Sequence, residues 1–276
     1  MSLIIAAILG FIQGLAEFLP ISSSGHLAVF QHLFGMEEVD TLFDVLLHLA
    51  TLVSICIVFW HDIVDMIREV IGFFKDVGHP KPDEGEPKPA RRLVLMIIIA
   101  TLPLVVVLPI KDYIDSLSNS TYFIGVAFLI TGGMLYLSDR MRVGKKTEKN
   151  MSVGDAVKIG LVQAVATLPG ISRSGSTITA GMAVGLNRSF AVKFSFLMSL
   201  PAVIGATLLE LIDAINEGVD ASRLPAYLLG MVVAGVTGYF AIKLVKLLAQ
   251  EGKFGKFCYY CFAAGIATIV LTIILR

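Results

Sequence analysis

Long apolar runs alternate with short polar breaks along most of this chain. Six runs, at 42–60, 93–110, 121–138, 190–212, 225–248 and 257–275, are long enough to cross a bilayer as helices, which takes roughly 17–25 residues. Two further apolar stretches, 3–34 and 153–187, are broken near the middle by Pro, Gly and a run of hydroxyls. Their arms do not read as full spans; Ala28 to Phe34 is far too short. The pattern predicts a re-entrant helix–loop–helix hairpin for each, tolerated at membrane depth only where protein or water satisfies the open backbone.

The two breaks say the same thing twice. Gln13 to Leu27 reads QGLAEFLPISSSGHL and Gln163 to Thr177 reads QAVATLPGISRSGST. At an offset of 150 residues Gln13 meets Gln163, Ser22 meets Ser172, Ser24 meets Ser174 and Gly25 meets Gly175. The echo continues in FDVLLHLATL from Phe43 and FSFLMSLPAV from Phe194, after a slip of one residue. The chain therefore divides into a first repeat, 1–138, a linker, 139–151, and a second repeat, 152–276, forming one functional domain. The expected fold is an all-α polytopic membrane protein with an inverted-topology repeat, each half one re-entrant helix hairpin plus three transmembrane helices. An odd number of spans per half turns the second copy upside down, so the hairpins enter from opposite faces and meet inside.

Composition agrees with a membrane protein. The 276 residues are 56% hydrophobic and 16% charged, where a soluble domain carries about a quarter charged residues. Mean hydropathy is +0.81. Loops 61–92, 139–151 and 249–256 share one side and carry 6, 5 and 2 Lys or Arg; the other side has Lys111, Arg223 and Arg276. The positive-inside rule puts the first set in the cytoplasm, and both termini and the mouth of the first hairpin outside. Ile63 to Phe74 reads as an amphipathic helix on the membrane surface, followed by a polar, Pro-rich loop from His79 to Arg92. No cleavable signal peptide is expected, because MSLIIAAILGFIQG lacks a basic start. Cys258 and Cys261 form a C-x-x-C inside an apolar run, where helix packing is the favoured reading over metal or redox chemistry.

The polar breaks hold the candidate chemistry. In PGISRSGST, Pro169 and Gly170 stop a helix, and hydroxyls from Ser172 to Thr177 open the next one. A helix N-terminus favours an anion, and Arg173, costly at bilayer depth, implies a partner. Hydroxyls, backbone N–H groups and a guanidinium make a phosphate cradle; the plainer alternative is an Arg173–Glu17 pair that only joins the halves. Glu17 sits in the apolar LAEFLP, so burial must be balanced by a cation, a metal or a proton. His26 follows Ser22, Ser23, Ser24 and Gly25. In the repeat Glu17 aligns with Thr167, His26 with Ser176 and Ser23 with Arg173, so acid and imidazole occupy one copy and the guanidinium the other. That asymmetry suits a hydrolytic site. Asp44 and His48, four apart on one face of the first full span, could pair or reach the site, and a structural hydrogen bond is the favoured reading. No P-loop, H-E-x-x-H or dinucleotide fingerprint is present.

At these residues the chain resembles the integral-membrane undecaprenyl-diphosphate phosphatase family, the bacitracin-resistance type. Gln13, Gly14, Glu17 and Phe18 through His26 match its first motif, and Pro169 to Thr177 its second. Ala16 stands where Thr is usual, and Gln13 where many members carry Glu. The resemblance implies hydrolysis of undecaprenyl diphosphate to the monophosphate and inorganic phosphate, recycling the lipid carrier of cell-wall synthesis, in the bacterial inner membrane with an extracytoplasmic site. Arg173 with Ser22, Ser24, Gly25, Ser172, Ser174, Gly175, Ser176 and Thr177 would hold the diphosphate. Glu17 and Gln13 would carry a divalent cation, Mg²⁺ or Ca²⁺. Ser23, or a water in its place, would attack, and His26 would move the proton. The partner is a polyprenyl diphosphate in a membrane, with no nucleic acid; a homodimer stays open. The rival readings are a lipid-phosphate transporter or flippase, which needs no such asymmetry, and a scaffold, which leaves Glu17 and Arg173 without purpose.

Overall fold

A computed structural model describes residues 2–33, 41–78, 89–217 and 221–274. The expected end of the first hairpin at Phe34, most of the Pro-rich loop from His79, and Arg276 lie outside the described residues. Those residues form helices and turns, with one isolated bridge between Lys146 and Leu186. In chain order the helices are α1 (Leu3–Phe18), α2 (Ser23–Leu33), α3 (Thr41–Val58), α4 (Trp60–Gly78), α5 (Pro89–Thr101) and α6 (Lys111–Ser116). They continue as α7 (Thr121–Ser138), α8 (Val153–Val165), α9 (Arg173–Ala183), α10 (Arg188–Glu217), α11 (Leu224–Gln250) and α12 (Phe257–Ile274). Among the described residues five helical stretches are long and apolar enough to cross a membrane, or six if α3 and α4 count as one bent span. Large apolar side chains such as Val232 and Phe240 stay 63% and 64% exposed, as a lipid-facing surface requires.

Both broken stretches form helix–turn–helix units, α1–α2 and α8–α9. Pro20 lacks the N–H that would extend α1, and the Leu19 N–H closes the last turn on the Leu15 carbonyl at 3.0 Å. The second unit starts on a capping box, in which Ser152 and Asp155 satisfy each other's backbone N–H groups. Lys146 Nζ reaches both Asp155 oxygens at 2.8 and 2.9 Å, anchoring the linker to α8.

Two spans carry a bend or a change of helix type. α3 ends at Val58, and α4 turns 86° away from it, so the stretch expected as a surface helix lies across the direction of α3. The run 93–110 is not one helix: α5 stops at Thr101, and 3-10 turns at Leu102–Val106 and Leu108–Ile110 follow. Pro103 and Pro109 cause the break, since neither offers an N–H to the preceding turn.

Packing brings the two units together. α1 lies along α11, α11 along α3, and α7 along α12, while α9 is packed by α7, α8 and α10. The α1–α11 seam is close because it lacks side chains: a Cβ on Gly14 would stand 2.4 Å from the Ala234 carbonyl oxygen. Small residues let membrane helices approach in this way. Phe18 meets Phe196 edge to face, ring centres 5.5 Å apart, in the core beneath the loops.

Candidate active site

Gln13 and Glu17 are one turn apart on α1, and the Gln13 Nε2 donates to Glu17 Oε2 at 3.2 Å. After α1 the chain reverses through Ser22, whose φ of 70° is the one left-handed non-glycine conformation among the described residues. Such backbone persists only where its surroundings fix it. Here the Ser22 Oγ accepts the Gly25 N–H at 3.3 Å, and its carbonyl takes the His26 N–H at 3.3 Å. The second loop repeats this: Ser172 Oγ accepts the Gly175 N–H at 3.0 Å, and its carbonyl takes the Ser176 N–H at 2.9 Å. Gly170, φ 87°, makes the turn there; a Cβ on it would stand 2.8 Å from that of Ala127. Ser23 and Arg173 are thus the first residues of α2 and α9.

The loops touch. The Gly170 N–H donates to Ser24 Oγ at 3.4 Å, and Ser174 Oγ–H to the Leu19 carbonyl at 3.4 Å. Between them Glu17, its side chain 7% exposed, receives the Arg173 guanidinium on Oε1 and the Ser23 hydroxyl on Oε2, the latter at 2.7 Å. A buried carboxylate is tolerable with this much donation. Glu17, Ser22, Ser23, Ser24, Ser172 and Arg173 line a cavity of about 490 Å³. Its other walls are the 3-10 turns at Leu104–Leu108 and the stretch Pro201–Thr207 of α10, both mainly apolar. The polar cluster around Glu17 thus opens into a chamber with two mainly apolar walls.

The remaining expected site residues do not reach the cavity. Ser176 Oγ–H and Thr177 Oγ1–H bond the carbonyls one turn back, of Ser172 at 2.7 Å and Arg173 at 2.8 Å, which uses their hydroxyls within α9. Gly25 and Gly175 serve close approach: added Cβ atoms would meet the Phe128 ring at 2.7 Å and Pro20 Cβ at 3.0 Å. His26 lies to one side of the cavity. Its Nδ1–H donates to the Ser22 carbonyl at 2.7 Å, and Nε2 accepts the Tyr260 hydroxyl at 2.7 Å. The ring is stacked on Tyr260, with centres 5.6 Å apart, and is not among the cavity-lining groups. His26 therefore fixes the Ser22 turn that carries Ser23. The imidazole that does face the cavity is His48, with Nε2 3.9 Å from Glu17 Oε2. Lys111, Asp115 and Gln163 also line it.

A resident Mg²⁺ or Ca²⁺ on Glu17 and Gln13 does not fit this geometry. Glu17 already has a cation on one oxygen and a hydroxyl on the other, and Gln13 is fully buried away from the cavity lining. No group of three His, Cys, Asp or Glu that could hold an ion occurs among the described residues. The cysteines are free; Cys258 and Cys261 are buried in helix packing, where Cys261 S–H reaches the Pro20 carbonyl at 3.5 Å.

Fold and site define an all-helical, multi-pass membrane protein in which a carboxylate, a guanidinium and a serine hydroxyl meet in a buried chamber. Residues 6–267 match the family model described as "Bacitracin resistance protein BacA", and the chain belongs to that family. It is 39% identical to the undecaprenyl-diphosphatase of Methanosphaera stadtmanae over 281 residues, covering 98% of both chains. The undecaprenyl-diphosphatase of Carboxydothermus hydrogenoformans is 38% identical, covering 96% of each, and that of Alkaliphilus metalliredigens 42%, covering 89% of this chain and 90% of its own.

Proposed function

We propose that the protein hydrolyses undecaprenyl diphosphate to undecaprenyl phosphate and inorganic phosphate, recycling the lipid carrier and so conferring bacitracin resistance. The observation that carries this reading is the double engagement of Glu17, with Arg173 on one oxygen and the Ser23 hydroxyl on the other. A serine whose proton a carboxylate accepts is an activated nucleophile. A guanidinium has donors to spare for phosphate oxygens, and the N-termini of α2 and α9 favour the same anion.

Ser23 Oγ attacks the terminal phosphorus and its proton passes to Glu17. The P–O bond to the bridging oxygen breaks, and the lipid monophosphate leaves. Water then opens the phosphoserine, and Glu17 returns a proton to Ser23. Arg173 and the helix N-termini stabilise the charge gathered on the phosphoryl oxygens, and the apolar part of the chamber takes the start of the prenyl chain. A transporter would have no use for the Ser23–Glu17 contact.

The architecture we infer is an inverted repeat, α1–α7 against α8–α12, with hairpins entering from opposite faces of the bacterial inner membrane. Both termini and the mouth of the site are extracytoplasmic, as the lysine and arginine distribution supports. The test is a purified, detergent-solubilised sample given polyprenyl diphosphate. Inorganic phosphate and lipid monophosphate should appear one for one; a folded protein that releases neither would contradict the reading.

A further inference from the structure

His48 stands in the chamber with one ring nitrogen committed and one open. Its Nδ1 lies 2.9 Å from the backbone carbonyl of Asp44, one turn back on α3. A carbonyl only accepts, so Nδ1 carries the hydrogen, and in the neutral form of the ring Nε2 presents a lone pair. Nε2 lies 3.9 Å from Glu17 Oε2. The separation is too long for a direct hydrogen bond. Two acceptors facing each other repel unless a donor stands between them, and one water can donate to both. Ser23 Oγ is bonded to the same Glu17 oxygen at 2.7 Å, so a water between Nε2 and Oε2 would stand beside the atom that carries the phosphoryl group. The His48 side chain is 33% exposed, so its ring is not sealed in the core.

We propose that His48 is the water-positioning residue of the second half-reaction. This rests on the phosphatase reading above. The water oxygen bonds to phosphorus while the Ser23 Oγ–P bond breaks. Glu17 gives Ser23 Oγ the proton it took in the first half-reaction, and both water hydrogens leave on inorganic phosphate. His48 Nε2 acts as an acceptor that aims the water, a role a side-chain amide oxygen of similar reach can fill.

The experiment compares purified full-length parent, His48→Leu, His48→Ala and His48→Gln on polyprenyl diphosphate labelled in the terminal phosphate, with folding checked by size exclusion and thermal unfolding. His48→Leu should lower kcat by up to about 100-fold, the scale on which a misplaced reacting group acts. KM should move little, and label should accumulate on Ser23. His48→Gln should recover most of the parent kcat. Should His48→Leu fail to fold, His48→Ala must show the same loss. Parent-like kcat in the apolar variants would overturn the proposal. So would equal impairment of a folded His48→Gln, or a change confined to KM. A folded parent that releases no phosphate would instead bring down the phosphatase reading, and this inference with it.

Discussion

Glu17 concentrates the chemistry of the site in one side chain. Because its oxygens hold Arg173 and Ser23 separately, each partner can be tested by itself. Arg173→Lys keeps the charge but loses the planar fork that grips two oxygens at once. Turnover of polyprenyl diphosphate should fall roughly 100- to 1000-fold, as for loss of one preorganised donor to a transition-state oxyanion. A folded variant with near-parent turnover would remove Arg173 from phosphate binding. Glu17→Gln should abolish turnover more completely than Gln13→Ala, since Gln13 only donates to Glu17 from a buried position. Because the donor set does not fit a resident ion, elemental analysis should find no stoichiometric Mg²⁺ or Ca²⁺ in the purified protein, and a chelator should leave its unfolding temperature unchanged. A shift of several degrees on chelation would show a structural ion that the geometry does not provide for. Glu17 and Arg173 were legible in the sequence because a charge in an apolar run must find a partner. The histidines were legible in part. Four-residue spacing let Asp44 and His48 pair or reach the site, and the ring does both, bonding the Asp44 backbone carbonyl and lining the chamber. Nothing local to His26 announces that its partner is Tyr260, from the far end of the chain.

At the scale of elements, the position of Glu17 depends on how closely α1 lies against α11. A Cβ on Gly14 would stand 2.0 Å from Thr237 Oγ1 and 2.4 Å from the Ala234 carbonyl oxygen. Gly14→Ala should therefore destabilise by about 1–3 kcal/mol, the usual range for overpacking. It should also depress turnover, since Glu17 lies less than one turn further along α1. Gly133→Ala is the control, because a Cβ there meets nothing within 4 Å. Equal unfolding temperatures and turnover for the two variants would show that the seam is not tight. Hydropathy placed α7 to the residue, Thr121–Ser138, because that run is apolar and free of proline. It found the span at 93–110, which the helical stretch Pro89–Asn119 contains, but not its 3-10 turns, because a hydropathy window sums side chains and does not count missing backbone donors. Pro103 and Pro109 were visible, and the turns they impose build the cavity wall.

For the whole molecule, orientation follows from charge and is open to direct test. In a variant whose three cysteines are replaced by alanine, a Cys at Asn119 should react with an impermeant thiol reagent on intact cells. A Cys at Thr147 should react only after the membrane is opened. The reverse pattern would invert the topology and move the mouth of the first hairpin to the cytoplasm. The two loops share their hydrogen-bond pattern, Ser22 and Ser172 each capping a helix, yet differ at the positions of Glu17 and Arg173, and that difference is what the phosphatase reading turns on.

The central claim is that Ser23, held by Glu17, takes the terminal phosphate. The most direct measurement is single-turnover release of phosphate from terminally labelled polyprenyl diphosphate by parent, Ser23→Ala, His26→Ala and the double variant, with substrate binding assayed separately. The account predicts parent release through label held transiently on Ser23, and a loss of more than about 100-fold in Ser23→Ala with binding retained. Removing His26 as well should add little, because His26 acts by positioning Ser23. A folded Ser23→Ala protein that releases phosphate at the parent rate would contradict it.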